Sequence, residues 1–128
     1  MAIPTAIAKY KSVQVTTSSP GELLLMLFDG LFRFLGEARD AMVAKDATRT
    51  GERISRAHAI LEELASSLDS RHAPELCDNL RGIYTFCMGH LVQANVRRDQ
   101  ALIEQVIKIL TPVRDGFREV VQAATKVK

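Results

Sequence analysis

The chain has 128 residues, of which 47% are hydrophobic and 25% are charged, proportions that indicate a single globular domain rather than a disordered chain. Its 17 Lys and Arg residues nearly balance its 15 Asp and Glu residues and are interleaved with them, which argues against a nucleic-acid-binding surface. No apolar run approaches the roughly 18 residues that a membrane-spanning helix needs, and the first residues lack the pattern of a secretory signal. We therefore expect a cytoplasmic protein that neither inserts into a membrane nor binds nucleic acid.

The two cysteines also indicate a cytoplasmic protein. Cys77 and Cys87 lie ten residues apart in one predicted helix, which separates their Cα atoms by about 15 Å. A disulfide requires Cα atoms within roughly 7 Å, so these two cannot pair within the chain. Both are interpreted as small buried residues of a protein in a reducing environment.

The N-terminal half of the chain reads as an irregular arm followed by two helices. Residues 1–18 form the arm, because Pro4 and the Thr-Thr-Ser-Ser run argue against a long helix there. The first helix begins with Ser19 as N-cap, Pro20 at the first helical position and Glu22 closing a capping box, and it runs to about Ala44. A second helix, capped by Thr48 or Thr50, reaches about Leu68.

Two further helices complete the chain. Pro74 opens a third helix that ends near Val96, and Asp99 caps a fourth that runs to about Ala123. The connections are short, so consecutive helices should be antiparallel. The sequence thus predicts one all-α domain over residues 1–128, an antiparallel up-down four-helix bundle spanning 19–124 with the arm at its N-terminus.

Three of the predicted helices carry more apolar residues than a core-facing stripe requires, which is about three positions in seven. In the third helix the stripe consists of Leu76, Leu80, Ile83, Cys87 and Leu91, and in the fourth of Leu102, Val106, Ile109, Leu110, Val113, Phe117 and Val120. The surplus lies beside the stripes and comprises Leu25, Phe32, Phe86, Val92, Val96, Ile103, Ile107 and Val121. Either the arm or a partner must cover this surplus, and its distribution over three helices favours a long partner that wraps around the bundle.

The side chains that carry chemistry are few and scattered. His58, His72 and His90 show no metal-ligand spacing, and no Glu-x-x-His pair of the kind found in di-iron bundles is present. The seven glycines are dispersed, so there is no glycine-rich phosphate loop. We predict that the protein is not an enzyme and has no catalytic residues, metal site or cofactor.

One segment resembles a known family. Residues 10–30, which read YKSVQVTTSSPGELLLMLFDG, are similar to the opening of the FliS family, with its Tyr-led arm, its Ser-Pro helix start and a Met-Leu-aromatic-acid-Gly sequence. Further positions resemble the third helix of that family, namely Asn79, Leu80, Ile83, Tyr84, Leu91, Ala94 and Asn95. The resemblance covers essentially the whole chain. Phe117 departs from the pattern where the family often has Trp, and Pro112 removes the helical hydrogen bond to the carbonyl of Lys108.

The resemblance implies a cytosolic chaperone for flagellar export. Such a protein binds the disordered C-terminal segment of flagellin, prevents premature polymerisation and delivers the subunit to the cytoplasmic domain of the flagellar type III export gate. It further implies that Ile7 and Tyr10 in the arm dock on the gate. The helical faces, rather than the resemblance, suggest the flagellin contacts, which are Leu25, Phe32, Phe86, Val92, Ile103 and Ile107.

Two other functions remain open at the level of sequence. The surplus apolar residues could instead hold together a homodimeric structural or regulatory protein without flagellin cargo. An enzyme or metal carrier with a site inside the bundle is a second alternative. With flagellin as the partner we expect a monomer or a weak homodimer, and we expect the arm to cover part of a groove and to move aside when flagellin binds.

Overall fold

The computed structural model describes residues 19–127, with side chains described as far as Ala124. These residues form four helices and no strand: α1 (Pro20–Val43), α2 (Ala47–Ser66), α3 (Pro74–Arg97) and α4 (Gln100–Val127). The all-α fold predicted from the sequence is confirmed. The predicted arm, residues 1–18, lies outside the described residues.

The four helices form a closed antiparallel bundle in which each helix packs on its neighbours in sequence and α1 packs on α4. The start of α1 meets the end of α4, since the ring centroids of Phe28 and Phe117 are 5.7 Å apart. Gly21 allows this approach, because a Cβ added there would lie 2.9 Å from Cγ2 of Val121. This architecture is the predicted up-down four-helix bundle.

The start of α1 is as predicted, but the start of α2 is not. Ser19 and Glu22 form the reciprocal capping box of α1, with distances of 2.9 and 3.1 Å. In α2 the N-cap is Asp46, whose Oδ1 accepts a hydrogen bond from the backbone N–H of Arg49 at 3.0 Å. The prediction of Thr48 or Thr50 is wrong because Lys45 adopts a left-handed conformation (φ 60°) and reverses the chain early. Thr50 is instead buried, and its hydroxyl donates to the Asp46 carbonyl.

The starts of α3 and α4 agree with the sequence prediction, whereas α4 ends later than predicted. α3 begins at Pro74, and Oδ1 of Asp99 accepts the backbone N–H of Ala101 at 3.0 Å at the start of α4. α4 remains helical through Pro112 and continues past the predicted end near Ala123 to Val127. Beside the proline, the Thr111 hydroxyl donates to the Ile107 carbonyl at 2.7 Å.

The core is built from every helix and contains Cys87, and both cysteines are free and buried. The burial of large apolar side chains in this core is the main contribution to the stability of a bundle of this size. The fully buried side chains at its centre include Phe28, Leu31, Leu35, Ala57, Leu61, Tyr84, Cys87, Leu91, Ile103, Val106 and Leu110.

Three assignments of residues relative to the core are corrected. Ile103 is fully buried, although the sequence placed it beside the core stripe of α4, whereas Val120, assigned to that stripe, is 66% exposed. The apolar arc of α4 is roughly 160° wide, so periodicity alone does not locate its centre. In α3 the predicted core residue Leu76 is 54% exposed, and the adjacent Cys77 occupies the inner position.

Candidate functional site

The described side chains contain no cluster suited to metal binding. No group of three or more His, Cys, Asp or Glu residues within residues 19–124 could hold an ion. His58 lies 3.6 Å from Glu62 one helical turn away, as an isolated partly exposed pair. None of the four helices is long and apolar enough to cross a membrane. Accessible apolar side chains at the surface are therefore the remaining candidates for a functional site.

The first apolar surface is the groove between α1 and α4. Leu25 and Phe32 lie seven residues apart on one flank of α1, and both are half-buried. The Arg114 guanidinium of α4 stacks over the Phe32 ring at 4.4 Å. Ile107, also half-buried, precedes Arg114 by seven residues and so lies on the same flank of α4. Three of the predicted flagellin contacts thus share this α1/α4 groove.

The second surface is the groove between α3 and α4. Phe86 is 53% exposed and stacks on His90 with ring centroids 4.4 Å apart. Nε2 of His90 in turn lies 2.9 Å from Oε1 of Gln105 on α4, which ties the two helices together. The α3/α4 groove is also flanked by half-buried apolar residues that lie one helical turn from Phe86 or Gln105, namely Ile83, Leu102 and Ile109.

The third surface is a cavity of about 220 Å³ between α2 and α3. Val92 and Val96, which are 47% and 72% exposed, supply its apolar wall on α3. Opposite them on α2 are Ile54 and His58. The spacing of four residues between the two valines places them on one face of the helix, above the cavity of this α2/α3 groove.

The six residues predicted to contact flagellin do not converge on one patch. Leu25, Phe32 and Ile107 belong to the α1/α4 groove, Phe86 to the α3/α4 groove and Val92 to the α2/α3 groove. Ile103 belongs to none of them, because it is part of the core, and its assignment to a partner-binding surface is withdrawn. The predicted gate-docking residues Ile7 and Tyr10 lie outside the described residues.

Several groove residues were not identified from the sequence. Ile83, Leu102 and Ile109 were assigned to core stripes, yet each is only half-buried and remains accessible at a groove. Val96 was recognised as pointing away from the stripe without being assigned to a partner. The one signal that could have found it is its spacing of four from Val92.

Two buried titratable groups of α3, Cys87 and Tyr84, are unsuited to catalysis. Burial raises the pKa of the Cys87 thiol to about 11. Burial, together with the charge of Cys87, raises the pKa of Tyr84 to about 12. Both side chains are therefore protonated near neutral pH, whereas a cysteine nucleophile needs a lowered pKa.

Fold and surface together define a class, a small all-α four-helix bundle with apolar grooves between its helices. A family model described as flagellar protein FliS matches residues 3–124. The chain belongs to the FliS family.

Comparisons with individual relatives agree with this family. The chain is 32% identical over 126 residues to the flagellar secretion chaperone FliS of Bacillus subtilis, covering 98% of this chain and 93% of the relative. It is 32% identical over 116 residues to FliSB of Pseudomonas aeruginosa (88% and 92% covered). It is 33% identical over 107 residues to FliS of Salmonella typhimurium (83% and 79% covered). The resemblance found in residues 10–30 is confirmed, and the family is one of chaperones rather than enzymes.

Proposed function

We propose that this protein is a cytoplasmic export chaperone for flagellin. It binds the disordered C-terminal segment of flagellin, prevents premature polymerisation and delivers the subunit to the flagellar type III export gate. Relatives named flagellar secretion chaperones support the general role. The observation that carries the proposal for this chain is the presence of apolar side chains, still accessible to solvent, in three successive interhelical grooves.

The arrangement of the grooves suits a long, flexible partner. An amphipathic segment binds by laying its apolar face into a groove between helices. Ordering a disordered segment costs free energy, so tight binding requires a large contact area. The α1/α4, α3/α4 and α2/α3 grooves follow one another around the bundle. A single flagellin segment wrapped around the bundle can therefore contact all three.

The residues at each groove have distinct roles in this proposal. Phe86 and Val92 are exposed enough to be contacted directly. Phe32 presents a ring whose face is already covered by Arg114, so flagellin contacts its edge or displaces the guanidinium. Docking on the export gate is assigned to Ile7 and Tyr10 on the family resemblance alone.

The proposal predicts that one substitution in each groove weakens flagellin binding. The variants are Phe32→Ala, Phe86→Asp and Val92→Asp, with binding to the source organism's flagellin measured by isothermal titration calorimetry. Each should raise the dissociation constant about tenfold or more, since burying an unpaired charge or losing an aromatic contact costs at least about 1.4 kcal/mol. Alanine is used at position 32 because an aspartate there would pair with Arg114.

Ala59→Asp is the matched control for this experiment. Ala59 is exposed on α2 and lies on the solvent side, away from the groove residues Ile54 and His58. This variant should bind flagellin like the original protein, and all four should keep their helical circular dichroism. An effect confined to one groove would contradict the wrapped segment. A stable dimer that flagellin neither binds nor dissociates would replace the proposal by the homodimeric alternative.

A further inference from the structure

A second kind of surface lies at one end of the bundle. There the α1–α2 connection meets the α3–α4 connection around an open cavity of about 370 Å³. Its lining consists of Met42, Lys45, Ala47, Thr50 and Arg98. None of these residues belongs to the three grooves, and we call this feature the end cavity.

The end of the bundle that holds this cavity carries unpaired positive charge. Lys45, Arg49, Arg97 and Arg98 have no carboxylate within 4.0 Å among residues 19–124, whereas every arginine elsewhere in that range has one. The carboxylates at the same end, Asp46 and Asp99, accept backbone N–H groups as helix caps. The cations are therefore free to receive an acidic group from outside.

The two cations that line the end cavity occupy unusual backbone positions. Lys45 and Arg98 both have left-handed conformations, with φ of 60° and 52°. Such positions favour Gly or Asn, so conformational preference does not account for cationic side chains there. Arg98 is partly held in place, because its Nη1 donates to Oδ1 of Asn95 at 2.9 Å.

The lining of the end cavity favours a carboxylate over a phosphate. At the start of α2 the N–H of Arg49 and the Thr50 hydroxyl already donate to Asp46. Two apolar side chains, Met42 and Ala47, line the cavity beside the two cationic side chains. A phosphate has no apolar part to place against them, whereas a protein segment can carry a carboxylate and an apolar side chain together. A cavity of this volume accommodates a leucine-sized side chain with an adjacent carboxylate.

We propose that the end cavity binds an acidic protein segment in which Asp or Glu neighbours a leucine-sized apolar residue. The apolar side chain packs on Met42 and Ala47, and the carboxylate lies between Lys45 and Arg98. Both parts of the ligand are matched by charge and polarity at the site. This inference does not rest on flagellin binding and concerns a surface separate from the grooves.

The test uses the full chain and a fluorescein-labelled peptide of about ten residues with a central Asp-Leu-Asp sequence. A peptide of this length can occupy a single cavity. Titration into ¹⁵N-labelled protein should shift the backbone amides of Lys45, Ala47, Thr50 and Arg98. The double variant Lys45→Asn/Arg98→Asn should weaken binding about tenfold or more, measured by fluorescence anisotropy. Asparagine is chosen because it tolerates the left-handed conformation. Replacing both aspartates of the peptide by asparagine should have a similar effect.

Lys108→Asn provides the matched control, because Lys108 is an exposed cation on α4 without an ion pair among the described side chains and lies outside the end cavity. It should leave the peptide affinity within about twofold of the original, since exposed charges beyond the Debye length are largely screened. Unchanged affinity in the double variant, or amide shifts confined to the grooves, would overturn the proposal. So would inorganic phosphate shifting the same amides while the peptide does not, which would indicate a small-anion site. If the double variant is unfolded, the two single variants carry the same comparison.

Discussion

At the scale of single residues, Tyr84 and Cys87 show how burial changes ordinary side chains. They lie three positions apart on the inner face of α3 and are almost completely inaccessible to solvent. Burial disfavours their anions, which is why the pKa of the thiol rises from 9.0 to about 11 and that of the phenol from 10.0 to about 12. The neutral forms are therefore part of the folded state.

This difference in pKa predicts a loss of stability in alkaline solution. The Cys87 thiol should ionise near pH 9 in the unfolded chain and near pH 11 in the folded one, so the unfolded state loses its proton first. The stabilisation is complete below about pH 9 and disappears as the pH rises towards 11. Melting temperatures followed by circular dichroism should fall over this interval.

Cys87→Ala isolates the contribution of the thiol. The variant should melt at a lower temperature at neutral pH because it leaves a small cavity in the core. Its melting temperature should nevertheless decline less steeply between pH 9 and 11 than that of the original protein. The decline caused by ionisation of Tyr84 should remain in the variant and extend to higher pH. Parallel declines in the two proteins would show that the thiol is not responsible.

At the scale of helices, the α1–α2 connection illustrates the limit of local signals. The run Lys45-Asp46-Ala47-Thr48-Arg49-Thr50 contains three residues able to cap a helix. The reversal of the chain at Lys45 decides between them and leaves Asp46 as the N-cap. Thr48 becomes an exposed residue of the first turn.

This assignment predicts unequal effects of two alanine substitutions. Asp46→Ala should lower the free energy of unfolding by about 1 kcal/mol, because the N–H of Arg49 loses its acceptor. Thr48→Ala should change it by less than about 0.5 kcal/mol, as expected for an exposed position. Urea denaturation followed by circular dichroism measures both. A larger loss for Thr48→Ala than for Asp46→Ala would restore the cap suggested by the sequence.

At the scale of the whole molecule, the closed bundle leaves apolar grooves on three of its sides and a cationic cavity at one end. The core is supplied by all four helices, and half-buried groove residues such as Phe32 and Ile107 also pack against it. Phe86, for example, remains 53% exposed although it belongs to a helix with six buried residues. Partner binding and stability can therefore be changed separately at the exposed groove residues, which are Phe86, Val92 and Val96.

The arm provides the test of this separation. Deleting residues 2–15 should leave the cooperative helical melt intact, because the bundle begins at Ser19. Binding of a hydrophobic dye should increase, flagellin affinity should be kept or strengthened, and docking on the export gate should be impaired through loss of Ile7 and Tyr10. Calorimetry with flagellin and with the cytoplasmic domain of the gate measures the two activities. Loss of flagellin binding in the truncated protein would mean that the arm is part of the cargo site.

The sequence alone determined the number of helices, most of their ends and the presence of surplus apolar surface. These features are local, since Ser19-Pro20 and Pro74 set helix starts through backbone geometry and caps. The predicted separation of Cys77 and Cys87 follows in the same way from the helical rise. A resemblance carried mainly by residues 10–30 and by positions of the third helix was likewise sufficient to indicate the family.

Only the tertiary structure decided which part of each apolar arc faces the core. Ile103 rather than Leu102 points inward, and Cys77 rather than Leu76, because the neighbouring helices select one rotation of each helix from several that the pattern allows. The same packing distributes the candidate contacts over three grooves. It also places Lys45 and Arg98, far apart in sequence, beside one cavity, since two connections meet there only when the bundle closes.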